Sequence, residues 1–150
     1  MNFQIKAFKE WNTNEGGGYQ FNLYLNNKKF AWVHNDGNGG MIDMTFADSQ
    51  SQWKDSPFKT VWNEYVKSLG QWKSAYGAIN GKEYFDHDTD TAIGLLVEQY
   101  ELNKARKKGT PFKLATDSIH GGFRVLNILD ITQANAWLNQ NYGEKGYILL

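Results

Sequence analysis

The sequence predicts an α+β fold, in which an antiparallel β-meander is packed with two main helices, a C-terminal hairpin and a short helix. Three observations predict it. Apolar and polar residues alternate over the first third of the chain, apolar residues recur at helical spacing through the middle, and two strand-like runs follow near the end. At 150 residues, 15% of them aromatic, the chain suits one domain, 1–150, that buries about two-thirds of its unfolded surface.

Four strands are predicted in the first third. They occupy residues 3–7, 19–25, 29–34 and 41–46. Residues 12–18 are rich in Asn and Gly and predict the first turn. Asn26 and Asn27 tolerate a positive φ and suit a tight hairpin. Because short turns join successive strands, an antiparallel meander follows.

The middle of the chain predicts a helix with both of its ends. Ser56 is a good N-cap and Pro57 suits the first helical position. Apolar residues then recur on one face as far as Leu69, and Gly70 is the expected stop. Segment 71–85 has no clear period and is either a further helical turn or a loop.

A second helix is predicted from Asp88 or Thr89 to about residue 108. Its apolar stripe consists of Ile93, Leu96, Val97 and Tyr100. The remaining elements are strands at 112–116 and 123–128 with a turn around Gly121 and Gly122, a short helix that Asp130 or Thr132 caps and Gly143 ends, and a closing strand at 147–150.

Composition excludes several classes of function. Sixteen basic and sixteen acidic side chains give a net charge of zero, which argues against a protein that coats duplex nucleic acid. The lack of Cys excludes disulfides, thiol nucleophiles and Cys-based zinc sites. The N-terminus does not resemble a signal peptide, and no apolar run approaches the roughly 20 residues that span a bilayer. We therefore expect a soluble, cytoplasmic protein with no membrane partner and no cofactor.

The most informative stretch is a run of turn residues between two predicted strands. This glycine loop consists of Asn35, Asp36, Gly37, Asn38, Gly39 and Gly40. Its glycines allow a positive φ and a close approach to another group. The loop either turns a tight corner or presents N–H groups to an anion. It lacks the pattern and the strand-to-helix context of a nucleotide P-loop, so the corner is the simpler interpretation.

Basic residues collect at the end of the second helix, at 104–108, and Lys113 and Arg124 lie on the following hairpin. These cations, Lys108 and Arg124 among them, could bind an anionic ligand. The alternative is helix electrostatics, since cations at a C-terminus and acids at an N-terminus each stabilise a helix by about 0.3–1 kcal/mol. Arg124 lies outside that explanation and is the more informative cation.

Acidic residues give two weak enzyme-like patterns. Segment 86–90 (D-H-D-T-D) fails the calcium-loop pattern, because Thr91 and Val97 stand where Gly and Glu are needed, so an N-cap cluster explains it better. A metal-dependent nuclease could use scattered acids with a lysine, namely Asp36, Asp43, Glu64 and Lys67. Glu64 and Lys67 read equally well as a surface pair on a helix.

The six Trp residues are numerous for this length, and most are expected in the core, Trp62 and Trp137 on apolar helix faces among them. Trp53 and Trp72 have polar neighbours and are harder to bury. Exposed Trp is enriched at binding hot spots and stacks on nucleic-acid bases. These two residues and the glycine loop are the candidate partner surface.

Two stretches carry a resemblance to known proteins. Residues 19–40, with an F-x-L-Y-L-N-N-K-K body and an N-D-G-x-G-G end, resemble a group of small uncharacterised proteins from bacteriophages and mobile elements. Residues 105–112 (A-R-K-K-G-T-P-F) are also similar to that group. The resemblance covers a minor part of the chain and transfers no catalytic role. It implies a small accessory protein that acts by binding a host component.

Three functional hypotheses follow. The leading one is a non-enzymatic phage or mobile-element accessory protein that binds and neutralises a host protein of anti-phage defence. The second is a sponge for a nucleotide-type immune signal, with Gly37, Gly39, Gly40, Lys108 and Arg124 on the phosphates. The third is a small metal-dependent nuclease or hydrolase.

Overall fold

A computed structural model describes residues 1–49, 55–117 and 122–150. The fold is α+β, as predicted, with antiparallel sheets and three helices among the described residues. The chain forms two compact units, Met1–Val97 and Glu98–Leu150, whose boundary falls inside a helix. That the two units form one domain stays a prediction. Over the described residues, none of the helices has the length and apolar character that crossing a membrane requires.

The first unit contains the meander, one complete helix, a small hairpin and the first half of a second helix. In chain order these are β1 Phe3–Thr13, β2 Gly16–Leu25, β3 Lys28–Asn35, β4 Asp43–Phe46, α1 Pro57–Ser68, β5 Gln71–Lys73, β6 Tyr84–Asp86 and α2 Thr89–Arg106. Strands β1 to β4 pair antiparallel in sequence order, so the predicted meander is confirmed.

The first predicted turn is wrong in its extent. Both strands run into the segment 12–18, and only residues 14 and 15 lie between them. Most residues of the predicted turn therefore belong to the paired strands β1 and β2, in which Trp11 opposes Gly18 and Thr13 opposes Gly16. The second predicted turn is confirmed, because Asn26 and Asn27 adopt φ of 50° and 64°.

A β-bulge in β1 changes which side chains share a face. Lys6 opposes Asn22 and Lys9 opposes Gln20, so three steps along β1 match two along β2. Ala7 takes a φ of 54° there and is exposed, whereas the alternation of the sequence predicted it on the buried side. The extra residue puts Lys6 and Lys9 on the same face of the sheet.

The inner face of the meander packs against α1 and the first half of α2. Its buried residues are Phe21, Leu23, Phe30, Ala31 and Val33 from the sheet, Trp62 and Val66 from α1, and Ala92 and Ile93 from α2. Trp62 is 1% exposed, and its indole N–H donates to the Thr89 hydroxyl at 3.1 Å. Aromatic edge contacts surround it, for example with Phe3 at 5.6 Å between ring centroids.

The ends of α1 agree with the prediction. The Ser56 hydroxyl caps the helix by accepting the Lys59 backbone N–H, and it also bonds to Asp48. Gly70, at φ 72°, follows the last turn. Segment 71–85 is neither a helical turn nor a plain loop, because β5 and β6 pair through Trp72 and Phe85 into a hairpin.

The second unit holds the end of α2 and a three-stranded sheet beside a helix. The elements are β7 Thr110–Leu114, β8 Arg124–Leu126, α3 Ile131–Tyr142 and β9 Tyr147–Leu149, with sheet order β8-β7-β9. The predicted hairpin, short helix and closing strand are thus present, although Gly121 of the predicted turn lies outside the described residues. Asp130 caps α3. Trp137 is 39% exposed, so its placement in the core is wrong.

Candidate functional site

The outer face of the meander is the candidate functional site. It is the side of the sheet away from the core, and we call it the aromatic face. Pairing across the four strands assigns to it Gln4, Lys6, Lys9, Trp11, Gly18, Gln20, Asn22, Tyr24, Lys29, Trp32, His34, Asp43 and Thr45. Residues that oppose each other across an antiparallel pair point to the same side, and therefore these side chains form one continuous surface.

Three rings form a row across this face. The His34 ring is stacked on Trp32 at 5.2 Å between centroids and 13° between planes, and it lies 5.6 Å from Trp11 at 35°. Trp32 is 37% exposed, so part of its indole faces solvent. The Nδ1 atom of His34 is shielded and has no hydrogen-bond partner within the described part of the chain. A nitrogen that is shielded from water and makes no hydrogen bond lowers the stability of the fold. Packing alone therefore does not explain a histidine at this position.

Trp11 reaches the row because its neighbour across the ladder is glycine. A Cβ on Gly18 would lie 2.3 Å from the indole Nε1 of Trp11 and 2.8 Å from the Asp36 carbonyl oxygen. With no side chain there, the indole crosses β2 and its N–H donates to that carbonyl at 3.3 Å. The aromatic row and the glycine loop are thereby joined through Gly18.

The charge of the aromatic face is positive. Lys6, Lys9 and Lys29 belong to it and are exposed, and Asp43 is its acidic member. The Lys6 ammonium lies over the Tyr24 ring, 4.3 Å from its centroid. A chain of zero net charge thus concentrates positive charge beside its aromatic row.

The glycine loop turns a corner and packs against the end of the β1–β2 hairpin. Gly37 has φ 81°, and a Cβ on it would lie 2.6 Å from the backbone nitrogen of Gly18. The Thr13 hydroxyl donates to the Gly37 carbonyl at 2.7 Å. Two side chains of the loop accept hydrogen bonds from backbone N–H groups of the same loop. Asn35 Oδ1 accepts from the Gly37 N–H, and Asp36 Oδ1 accepts from the Asn38 N–H. Those two N–H groups are therefore engaged internally rather than aimed at an anion.

Of the two Trp residues chosen from the sequence, Trp72 lies in the described structure and Trp53 lies outside the described residues. Trp72 is 37% exposed and packs on Phe85, 5.2 Å away between ring centroids. Tyr76 and Tyr84 of the same hairpin are also exposed. This hairpin is a second exposed aromatic surface, separate from the aromatic face.

Arg124 already has a partner within its unit. Its guanidinium donates through Nε and Nη2 to both carboxylate oxygens of Asp117, at 3.0 and 2.9 Å. The Arg124 hydrogen bonds, helped by the Leu114 backbone N–H, lower the pKa of Asp117 to about 2. Lys108 is exposed just beyond the end of α2, whose last turn carries Lys104 and Arg106 as helix electrostatics predict.

A cleft of about 470 Å³ lies between α1, the start of β5 and the start of α2, and the sequence did not indicate it. Asn63, Lys67, Gln71, Asp86 and His87 line it, with four further residues. The segment 86–90 forms an N-cap, as expected: Asp88 accepts the Thr91 backbone N–H at 2.8 Å, which is the chief reason its pKa is lowered. The carboxylate thus occupies the positive end of α2.

The acids proposed for a nuclease do not form a metal site. Within residues 1–49, 55–117 and 122–150, no group of three or more His, Asp or Glu side chains could hold a metal ion. The Asp36 carboxylate accepts a loop amide, and Asp43 belongs to the aromatic face opposite His34.

Comparisons with family models, curated proteins and solved structures found no match for this chain. The site therefore rests on its own geometry. Sequence reasoning missed Trp11, Trp32 and His34 as surface residues. The spacing of Trp32 and His34, two apart on a strand, was a usable signal, but the bulge at Ala7 hid that Trp11 joins them.

Proposed function

We propose that this protein acts by binding, as an accessory protein of a phage or mobile element that neutralises a host component in the cytoplasm. The observation that supports the proposal best is the aromatic face. Trp, Tyr and His rings are held in fixed positions on an exposed surface with lysines around them. Large, rigid aromatic side chains dominate the energetics of binding surfaces, and a soluble protein has little other reason to expose them together.

The face is preorganised, which favours a binding role. The indole of Trp11 is fixed by its bond to the Asp36 carbonyl and by the space at Gly18. Trp32 is held by its stack on His34. Fixed rings lose little conformational entropy on association, so more of the contact energy appears as affinity.

The sponge hypothesis loses two of the contacts on which it depended. The Gly37 amide donates to Asn35, and the Arg124 guanidinium donates to Asp117. Small ligands bind in concave sites that bury most of their surface. The aromatic face is the side of an open sheet, and it suits a partner that spreads over several strands.

Affinity capture with matched Trp variants tests the proposal. Trp32 and Trp72 are the same residue type with the same exposure, 37%, on the two candidate surfaces. Immobilised wild type, Trp32→Ala and Trp72→Ala chains are exposed to bacterial host lysate, and bound protein and nucleic acid are both identified. We expect a specific component that the Trp32 variant loses and the Trp72 variant retains. Equal capture by all three chains would refute the assignment of this face.

A further inference from the structure

We infer that the partner of the aromatic face is single-stranded nucleic acid. This inference rests on the proposed function, because it names the occupant of the same surface. Surfaces that bind single strands combine aromatic rings, on which bases stack, with cationic groups that follow the phosphates. The aromatic face carries both kinds of group, whereas the core side of the same sheet is lined mainly by apolar side chains that pack into the hydrophobic core.

The ring row supplies the surfaces on which bases can stack. Trp11, His34 and Trp32 extend from β1 to β3, with centroid separations of 5.6 and 5.2 Å. The exposed part of Trp32 offers a π-face, and Tyr24 adds a ring beside Lys6. Bases of any identity can stack on such rings, so this arrangement predicts weak dependence on sequence.

Charge complementarity decides in favour of an anionic polymer. Among the strand residues assigned to the face, three lysines stand against one aspartate, and they come from β1, β3 and β4. Neighbouring strands are about 4.8 Å apart, so Lys9 on β1 and the rings on β3 are separated by roughly two such spacings. An extended strand can place a base on Trp32 and phosphates near Lys6 and Lys9 together.

Polar side chains supply the remaining contacts. Gln20 and Asn22 lie on β2 between the lysines of β1 and the rings of β3. Their amide groups both donate and accept, as base edges and sugar hydroxyls require. Duplex nucleic acid fits poorly, because its bases are already stacked and the positive surface is only one face of one small sheet.

The test measures binding of fluorescein-labelled oligonucleotides of about 12 nucleotides, as single-stranded DNA, single-stranded RNA and the matching duplex, by anisotropy. We expect the single strands to bind at low salt and the duplex to bind more weakly. Trp32→Leu should weaken binding about 10-fold or more, whereas Trp32→Phe, which keeps a ring, should retain most of it. Trp72→Leu is the matched control and should bind like the wild type. Circular dichroism establishes that each variant is folded.

Salt dependence tests the lysines separately. Each phosphate contact on a single strand contributes about 0.7 to the slope of log K against log salt concentration. The double variant Lys6→Gln with Lys9→Gln should therefore reduce the slope by about 1.4. The control, Lys59→Gln with Lys73→Gln, changes exposed lysines of α1 and β5 and should leave the slope unchanged.

Two outcomes would overturn the inference, and they differ in what they mean for the proposed function. If the oligonucleotides fail to bind while Trp32→Ala still abolishes capture of a host protein, the face binds protein and the nucleic-acid assignment is wrong. If single strands bind but Trp32→Leu and Trp72→Leu are equally affected or unaffected, the binding site lies elsewhere, and both the inference and the choice of face fail.

Discussion

The two faces of the meander are built from one sheet and carry different chemistry. The inner face presents Phe21, Leu23 and Val33 to α1 and α2, and these three side chains are almost fully buried. The outer face presents Trp, His and Tyr rings together with lysines, and its side chains are half-buried or exposed. Aromatic side chains therefore stabilise the fold on one side of the sheet and remain accessible on the other. Residue type alone does not separate the two roles.

The largest expected effect is a difference in stability between substitutions of two Trp residues, one on each side of the sheet. Trp62 is 1% exposed and its N–H bonds to Thr89, whereas Trp32 is 37% exposed. Trp62→Ala should lower the free energy of unfolding by about 3–5 kcal/mol, because it opens a cavity in the core. Trp32→Ala should cost less, because the lost stack is worth about 0.5–1.5 kcal/mol and the cavity opens to solvent at a partly exposed site. Urea denaturation measures both, and equal losses would contradict the division into faces.

The next effect concerns the glycine that admits Trp11 to the outer face. Gly18→Ala should lower the free energy of unfolding by about 1–3 kcal/mol, because the new Cβ overlaps the indole and the Asp36 carbonyl. Gly17→Ala is the control, since its Cβ would meet nothing closer than 3.7 Å, and it should change stability by less than about 0.5 kcal/mol. Thermal unfolding followed by Trp fluorescence measures both. Similar effects for the two variants would show that Trp11 is not fixed as described.

A smaller change in the free energy of unfolding, of opposite sign, is expected at His34. It tests whether the outer face contains a residue that lowers the stability of the fold. His34→Phe keeps an aromatic ring against Trp32 and removes the shielded Nδ1 that has no partner among the described residues. We expect the free energy of unfolding to rise by about 1 kcal/mol, since an unsatisfied buried nitrogen is lost. Chemical denaturation of the variant and the wild type decides the sign. A destabilised variant would mean that the imidazole makes a contact that the fold requires.

The smallest effect on the fold is expected at the Arg124–Asp117 pair. Here the cation is paired with a carboxylate, whereas Lys6 of the outer face lies over an aromatic ring. The pKa of Asp117 is lowered to about 2, chiefly by the Arg124 hydrogen bond. Because the Asp117 pKa is lower in the folded state than in the unfolded state, the pair stabilises the protein at pH values above the ordinary Asp pKa. This contribution is lost as the pH falls through about 2. Arg124→Gln should move the Asp117 midpoint back toward the ordinary value in an NMR titration. An unchanged midpoint would contradict the pairing.

The sequence by itself determined the parts of the fold that depend on local physics. The Ser56–Pro57 helix start, the positive φ of Asn26 and Asn27 and the Asp130 cap all depend on interactions within a few residues. Such interactions are visible in a short window of sequence, because the same backbone groups need satisfying wherever the segment occurs. The α+β class followed from the change of period between the first and middle thirds of the chain.

Tertiary structure alone decided which side chains are available for binding. One extra residue at Ala7 set the face on which Lys9 and Trp11 lie, and contact with Gly18 fixed Trp11. Arg124 looked free in the sequence, yet Asp117, seven positions away, accepts hydrogen bonds from its Nε and Nη2 groups. These outcomes depend on strand register and on contacts across turns, which the alternation within a single strand does not encode.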